Sequence, residues 1–303
     1  MTAENVQPEQ PGIFRNGFRH FHMLEYRLAA GTTRAALLQA LRAGLTPDGD
    51  TLATVAAFGA AWTQTLGGDV PVFEPFREVH GRDGFTMPAT HADLMLWLQG
   101  SDTDVLFDAV HRLHGALAPL GEATLDLPCF TYHDSRDLTG FVDGIGNPQG
   151  RAARHAARVP DGQPGAGGSF VLTQRWVHDL TAFHALPVAA QEAVIGRTKA
   201  DAEEFDEARM PKDAHVARTD LKIDGEAMKI WRRSMPYGTA REHGLYFLAF
   251  SCRPGRYDVL LQSMAGNGQG GIRDRLTDFS RPVTGGYWYA PAQARLAAWL
   301  AAP

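Results

Sequence analysis

An internal repeat constrains this chain most: Leu94 aligns with Leu248 and Leu96 with Phe250, an offset of 154 residues. Each pair lies in an apolar, strand-like run, residues 93–98 in the first half and 246–250 in the second. Each run leads into a helical pattern, with Val105, Leu106, Val110 and Leu113 on one face in the first copy. The second copy starts near Arg256 and carries Val259, Leu260, Leu261 and Met264, so that Asp104-Val105-Leu106 matches Asp258-Val259-Leu260. An earlier strand at 18–28 has a counterpart at 170–176, and helical candidates follow at about 33–44 and 188–197. Each half therefore reads β-α-β-β-α-β. The prediction is an α+β chain, a duplicated ferredoxin-like fold of two antiparallel sheets with helices packed around them. The halves are 1–150 and 151–303, and the Gly-, Arg-, Ala- and Pro-rich segment 149–168 reads as a long loop.

At 303 residues the chain can bury a substantial core, and 44% hydrophobic with 21% charged residues is ordinary globular composition. A net charge of −5 argues against a nucleic-acid partner or an anionic membrane surface. No apolar run approaches the roughly 20 residues that span a bilayer. The N-terminus, MTAENVQPEQPG, has no basic or apolar signal region and no twin arginine, which predicts a cytoplasmic protein. No tail follows residues 299–303, so no C-terminal cargo peptide is expected. Cys129 and Cys252 form neither a Cys-x-x-Cys-His nor a zinc pattern and read as free thiols in apolar strands. His20 with His22 and His111 with His114 have ligand-like spacing but no accompanying cysteine or carboxylate cluster.

The densest chemical signal is residues 140–148, GFVDGIGNP, where one carboxylate, Asp143, sits among three glycines and a proline. Such a segment turns sharply, and Phe141, Val142 and Ile145 predict that the turn is covered. A covered carboxylate is a candidate proton carrier. Gly144-Ile145-Gly146 is not a dinucleotide fingerprint, because Asn147-Pro148-Gln149-Gly150 lacks the third glycine in register and opens no clear amphipathic helix.

The whole stretch resembles the Gly-x-x-Asp-Gly signature of the dye-decolourising peroxidases, a family of haem-b enzymes. The resemblance covers nearly the whole chain and extends to Thr284-Gly285-Gly286-Tyr287-Trp288. It implies a duplicated ferredoxin-like fold, a non-covalently held haem b and hydrogen peroxide as oxidant. A ferryl species would then take electrons from small aromatic donors, phenolic or dye-like. It places the proximal ligand at His215 in MPKDAHVAR (210–218), with Asp278 as the acceptor for its other ring nitrogen. It places the distal arginine at Arg232 in KIWRRSMPYG (229–238), beside Asp143. Strand alternation sends Arg232 and Arg233 to opposite faces, so one of them enters the pocket. Ser234 stands where many bacterial members carry Asn, which changes how water is placed on the distal side. The same resemblance puts Ile145, Gly146, Asn147, Leu248, Phe250 and Met264 around the haem.

Trp231, Tyr237, Tyr246, Tyr287, Trp288 and Tyr289 are good strand residues that could also relay electrons to the haem. The length resembles the short bacterial subgroup, whose members often assemble into homo-oligomers. The alternatives are a haem carrier or store, which needs His215 but not Asp143 and Arg232, and a protein that releases iron from intact porphyrin.

Overall fold

The computed structural model describes residues 8–302; residues 1–7 and Pro303 lie outside them, and with them most of the polar N-terminal stretch. The first half runs β1 (His20–Leu28), α1 (Arg34–Gly44), β2 (Leu52–Phe58), β3 (Leu94–Gly100), α2 (Thr103–Leu117) and β4 (Gly121–Phe130). After α3 (Gly150–Ala157) come β5 (Ser169–His178), α4 (Val188–Ile195) and α5 (His215–Thr219). The chain then forms β6 (Trp231–Arg232), β7 (Met235–Gly238), β8 (His243–Ser251), α6 (Gly255–Met264) and β9 (Gly286–Ala290).

Strand order is β2-β3-β1-β4 in one half and β6-β8-β5-β9 in the other, so each half pairs its second, third, first and fourth strands in that order. All these pairings are antiparallel. The two four-stranded arrays meet edge to edge where Tyr289 of β9 pairs with Phe58 of β2, which makes one continuous sheet. The repeat read from the sequence maps β3 and α2 onto β8 and α6, a strand and the helix that follows it in each half.

Strand alternation sorts the apolar residues into two cores. On one face Met23, Val55, Trp97, Val171, Leu248 and Phe250 form a cluster shared by both halves, with the Trp97 and Phe250 rings 6.1 Å apart. On the other, Leu24, Leu98, Leu172 and Ala249 pack beneath helical residues such as Leu38, Leu113, Tyr257 and Leu261.

The segment 149–168 departs from its reading as a loop, because residues 150–157 are helical. Ala153, Ala156 and Ala157 recur at helical spacing and are buried, a narrow apolar face made only of methyl groups. Arg154 on the same helix pairs with Glu9 at 3.0 Å.

One charge lies inside the shared core. Glu25 of β1 is 3% exposed and accepts from Tyr246 Oη of β8 at 2.5 Å and Thr173 Oγ1 of β5 at 3.1 Å. Burial pushes its carboxyl above the ordinary 4.5, with the two hydroxyls and Arg175 pulling the other way. The folded chain thus binds this proton more tightly than the unfolded chain. The resulting stability is fully present below pH 4.5 and is lost as pH rises through the folded-state value. Glu25→Gln removes this loss. Its melting temperature, measured from pH 4.5 upward, should gain on the parent as pH rises, whereas parallel curves would show that Glu25 does not titrate differently on folding.

Candidate functional site

A cleft with roughly 1540 Å³ of atom-free space, its mouth included, opens on the helix-covered face of the second half. Strand β5 lines it with Leu172, Gln174, Trp176 and His178, every second residue, and β8 with Leu245 and Phe247. Helix α6 adds Leu260, Leu261 and Met264, and the turn after β4 adds Asp143, Ile145 and Gly146.

Leu248 and Phe250, expected here, instead face the shared core on the other side of the sheet. The strand is apolar on both faces, so its sequence does not reveal which alternate set meets the cavity. Pairing settles the register: Phe247 lies opposite Gln174 and Leu248 opposite Thr173.

Two histidines line the cleft, and their partners give them different capacities. His178 has both ring nitrogens engaged, Nδ1 with Ser280 Oγ at 2.7 Å and Nε2 with Asp137 Oδ2 at 3.0 Å. Burial opposes ionisation of Asp137, yet His178 and Thr139 outweigh it and hold the carboxyl below its ordinary value. His215, at the start of α5, gives Nδ1–H to Asp274 Oδ2 at 2.6 Å, and its Nε2 has no partner among the described residues. A carboxylate on Nδ1 fixes the tautomer and leaves the Nε2 lone pair as a metal ligand.

The acceptor is therefore Asp274 and not Asp278. Both lie on the turn DRLTD, but Asp274 is fully buried, with Oδ1 capping Leu276 N at 2.9 Å and Oδ2 left for the imidazole. Asp278 is 44% exposed and bonded to Arg273 at 2.6 Å. Spacing could not separate them, but the residue preceding a short helical turn is the one whose side chain folds back over it. Asp274→Asn should lower haem affinity about 10–100-fold. Haem transfer to a competing apoprotein would measure this; unchanged retention would remove Asp274 from any role at His215.

Close packing positions α5. Gly196 ends α4 at φ +93°, where a Cβ would lie 2.7 Å from Met210 Sδ and 3.2 Å from Val216 Cβ. Arg275 N donates to Asp213 O at 2.9 Å, which ties the Asp274 turn to the chain entering α5.

Asp143 and Arg232 line the same cleft and stand together, Oδ1 to Nη1 at 3.7 Å, and both side chains are about a quarter exposed (26% and 24%). The covered turn expected around Asp143 is therefore partly open. Gly140 and Gly144 both have positive φ, and Asp143 Oδ1 accepts from Gly144 N at 2.7 Å. Asn147 lies away from the main cleft and clamps the Arg232 backbone, donating to its carbonyl at 2.9 Å and accepting from its N–H at 3.0 Å. Arg232 and Ser234 face the cleft while Arg233 turns to the opposite face, where it lies 5.1 Å from the Trp97 ring centroid.

Haem suits this lining. The walls are broad and apolar, and one imidazole nitrogen is free. Two buried polar atoms there have no partner, Gln174 Nε2 and Ser234 Oγ. Among the described residues no group of three or more His, Cys, Asp or Glu could hold a metal ion by itself. His22 is engaged by Asp126 and His114 by Tyr26.

The family model described as Dyp-type peroxidase, C-terminal, matches residues 134–295. A dye-decolorizing peroxidase of Mycolicibacterium paratuberculosis is 37% identical over 79% of this chain and 69% of its own. The encapsulated DyP-type peroxidase of Mycobacterium smegmatis superposes with a TM-score of 0.88 at 31% identity, covering 98% of this chain and 99% of that one. A DypB variant of Rhodococcus jostii RHA1 in complex with heme gives a TM-score of 0.85 at 28% identity over 94% and 96%. Matched by that family model over more than half its length, the chain belongs to the dye-decolourising, or DyP-type, peroxidases, which are haem enzymes.

Proposed function

We propose that this haem peroxidase reduces hydrogen peroxide with electrons from small aromatic donors, phenols and dyes among them, and that His215 would hold the iron of its haem b. The observation that carries the reading is the pairing of one free, carboxylate-oriented imidazole with an Asp–Arg couple lining the same cleft. Bound haem supplies the two-electron reduction of peroxide and the one-electron oxidation of donors. The chain supplies the rest. Asp274 holds His215 in its ligating tautomer, and the apolar walls exclude bulk water. Asp143 accepts a proton from peroxide and returns it to the leaving oxygen. Arg232, its backbone fixed by Asn147, presents a permanent cation to the charge that develops as the O–O bond breaks. Ser234 Oγ, buried and unpartnered, is available to a distal water. A haem carrier would need His215 but would gain nothing from the couple opposite.

The same proposal includes a cytoplasmic site of action and a homo-oligomer. Two free cysteines, Cys129 with its thiol pushed up by burial, support the first. Exposed Val72 and Phe107 support the second. No helix among the described residues is long and apolar enough to cross a membrane.

The test is a stopped-flow absorption spectrum of the haem-loaded protein mixed with an equivalent of hydrogen peroxide. A fast change in the haem spectrum that a phenol then reverses is expected. A spectrum that peroxide leaves unchanged, or only bleaches slowly, would favour haem handling instead.

A further inference from the structure

A second cleft lies beside the distal couple, bounded by the end of β4 and by residues 231–236. It shares Asp143, Arg232 and Ser234 with the haem cleft, so its contents border the distal side. Its other walls are rich in rings: Phe18, Phe21, Trp97, Phe130, Tyr132 and Trp231. Phe18, Phe130 and Tyr132 are only partly buried and form the accessible part of this surface.

Of the three guanidiniums that line this cleft, Arg233 is the one that no carboxylate answers. Its Nη1 donates to Asn16 Oδ1 at 2.9 Å and its Nη2 to Arg15 O at 2.6 Å and Gln99 Oε1 at 3.4 Å, all neutral acceptors. Among the described residues no carboxylate oxygen lies within 4.0 Å of it, and its Nε has no hydrogen-bond partner. The other two guanidiniums here are answered, Arg136 by Asp134 at 2.9 Å and Arg232 by Asp143 at 3.7 Å. Desolvation pulls Arg233 down to about 10, which still leaves it charged at neutral pH. A desolvated guanidinium without a counter-charge is costly in the free protein, and its planar fork matches a carboxylate or sulfonate.

We propose that this cleft binds a planar aromatic monoanion, an aryl carboxylate or aryl sulfonate, with its charged group on Arg233 and its ring among the aromatic walls. Such a ligand neutralises Arg233 and stacks on rings already in place. With Arg136 and Arg232 already answered, Arg233 leaves one positive charge to neutralise, which matches a monoanion. As a donor site it rests on the peroxidase reading above; as a binding site it does not.

The test is calorimetric titration of the haem-loaded enzyme, without peroxide, using 2-naphthalenesulfonate and the neutral methyl 2-naphthyl sulfone. The anion should bind at least about tenfold more tightly than the sulfone. Arg233→Gln should remove that preference while leaving sulfone affinity unchanged. Tyr132→Glu, which keeps every Arg233 contact and adds a like charge at the cleft, should weaken the anion by about tenfold or more. It decides the matter alone if the arginine variant fails to fold. Equal affinity for anion and sulfone, or anion binding unchanged by the variants, overturns the site. Loss of the site with an intact peroxide reaction leaves the peroxidase reading standing; anion binding by an enzyme inert to peroxide overturns that reading and not the site.

Discussion

His215→Ala should yield a folded chain that no longer retains haem through gel filtration. Truncation removes the only cleft imidazole with a free ring nitrogen, since His178 is tied on both sides by Ser280 and Asp137. Changes to a ligand's outer partner cost about 10–100-fold in affinity, so loss of the ligand itself should exceed about 100-fold. The fold should survive, because the His215 side chain is 23% exposed and Asp274 keeps its bond to Leu276 N. Circular dichroism of the haem-free variant should therefore match the parent. Added imidazole should restore a haem spectrum by filling the vacated space. Full retention of haem with an unchanged spectrum would mean that another residue ligates the iron.

The architecture was legible because it is written twice. A repeat of strand and helix patterns constrains both copies, and the pairing of β8 with β5 and of β3 with β1 follows from it. Helix α3 was not legible by the same means. Its buried face is three alanines, whose helix propensity is high but whose hydrophobic signal is weak among arginines and glycines. The edge-to-edge junction at Tyr289 and Phe58 rests on a single pair and leaves no periodic trace.

At the site, residues in dense local patterns were legible and those defined by burial were not. Asp143, Arg232 and Ser234 lie in segments whose turns and alternation fix their direction, and the structure brings all three to one cleft wall. Met264, Ile145 and Gly146 line the same cleft. Asn147 serves by clamping the Arg232 backbone, a role that sequence distance hides. The choice between Asp274 and Asp278 depended on which carboxylate is buried, and four residues of spacing carry no information about depth. Leu248 and Phe250 were expected in the cleft where the structure has Leu245 and Phe247, because a strand buried on both faces has no polar alternation to read. Gln174 and His178 lie in the strand SFVLTQRWVH, where Thr173 and Arg175 are polar too, and what marks them is that they share a face with Leu172 and Trp176.

Replacing the distal couple should have the second large effect, and the pair should act as a unit. Arg232→Leu removes a fixed cation aimed at developing charge, and loss of one such group costs about 10²–10³ in rate. Asp143→Ala removes the proposed proton carrier, a contribution of about 10²–10⁴. Both variants should keep haem, because neither residue touches His215 or Asp274. Their 3.7 Å separation means that each helps place the other, so the two losses should not add as free energies. Without Asp143, Arg232 still has Asn147 on its backbone but no side-chain partner to aim it. Without Arg232, Asp143 faces a more open cleft and holds peroxide less well. The double variant should therefore be only slightly slower than the slower single one, as read from the spectral change on mixing with peroxide. Full multiplicativity would show two independent groups, and an unchanged rate in both singles would place the chemistry elsewhere. Ser234→Asn probes the cleft that the three residues share. An amide there reaches further than the hydroxyl, whose oxygen has no partner, and should shift the balance between the two single-variant losses. If that balance does not move, water at Ser234 takes no part in the proton transfer.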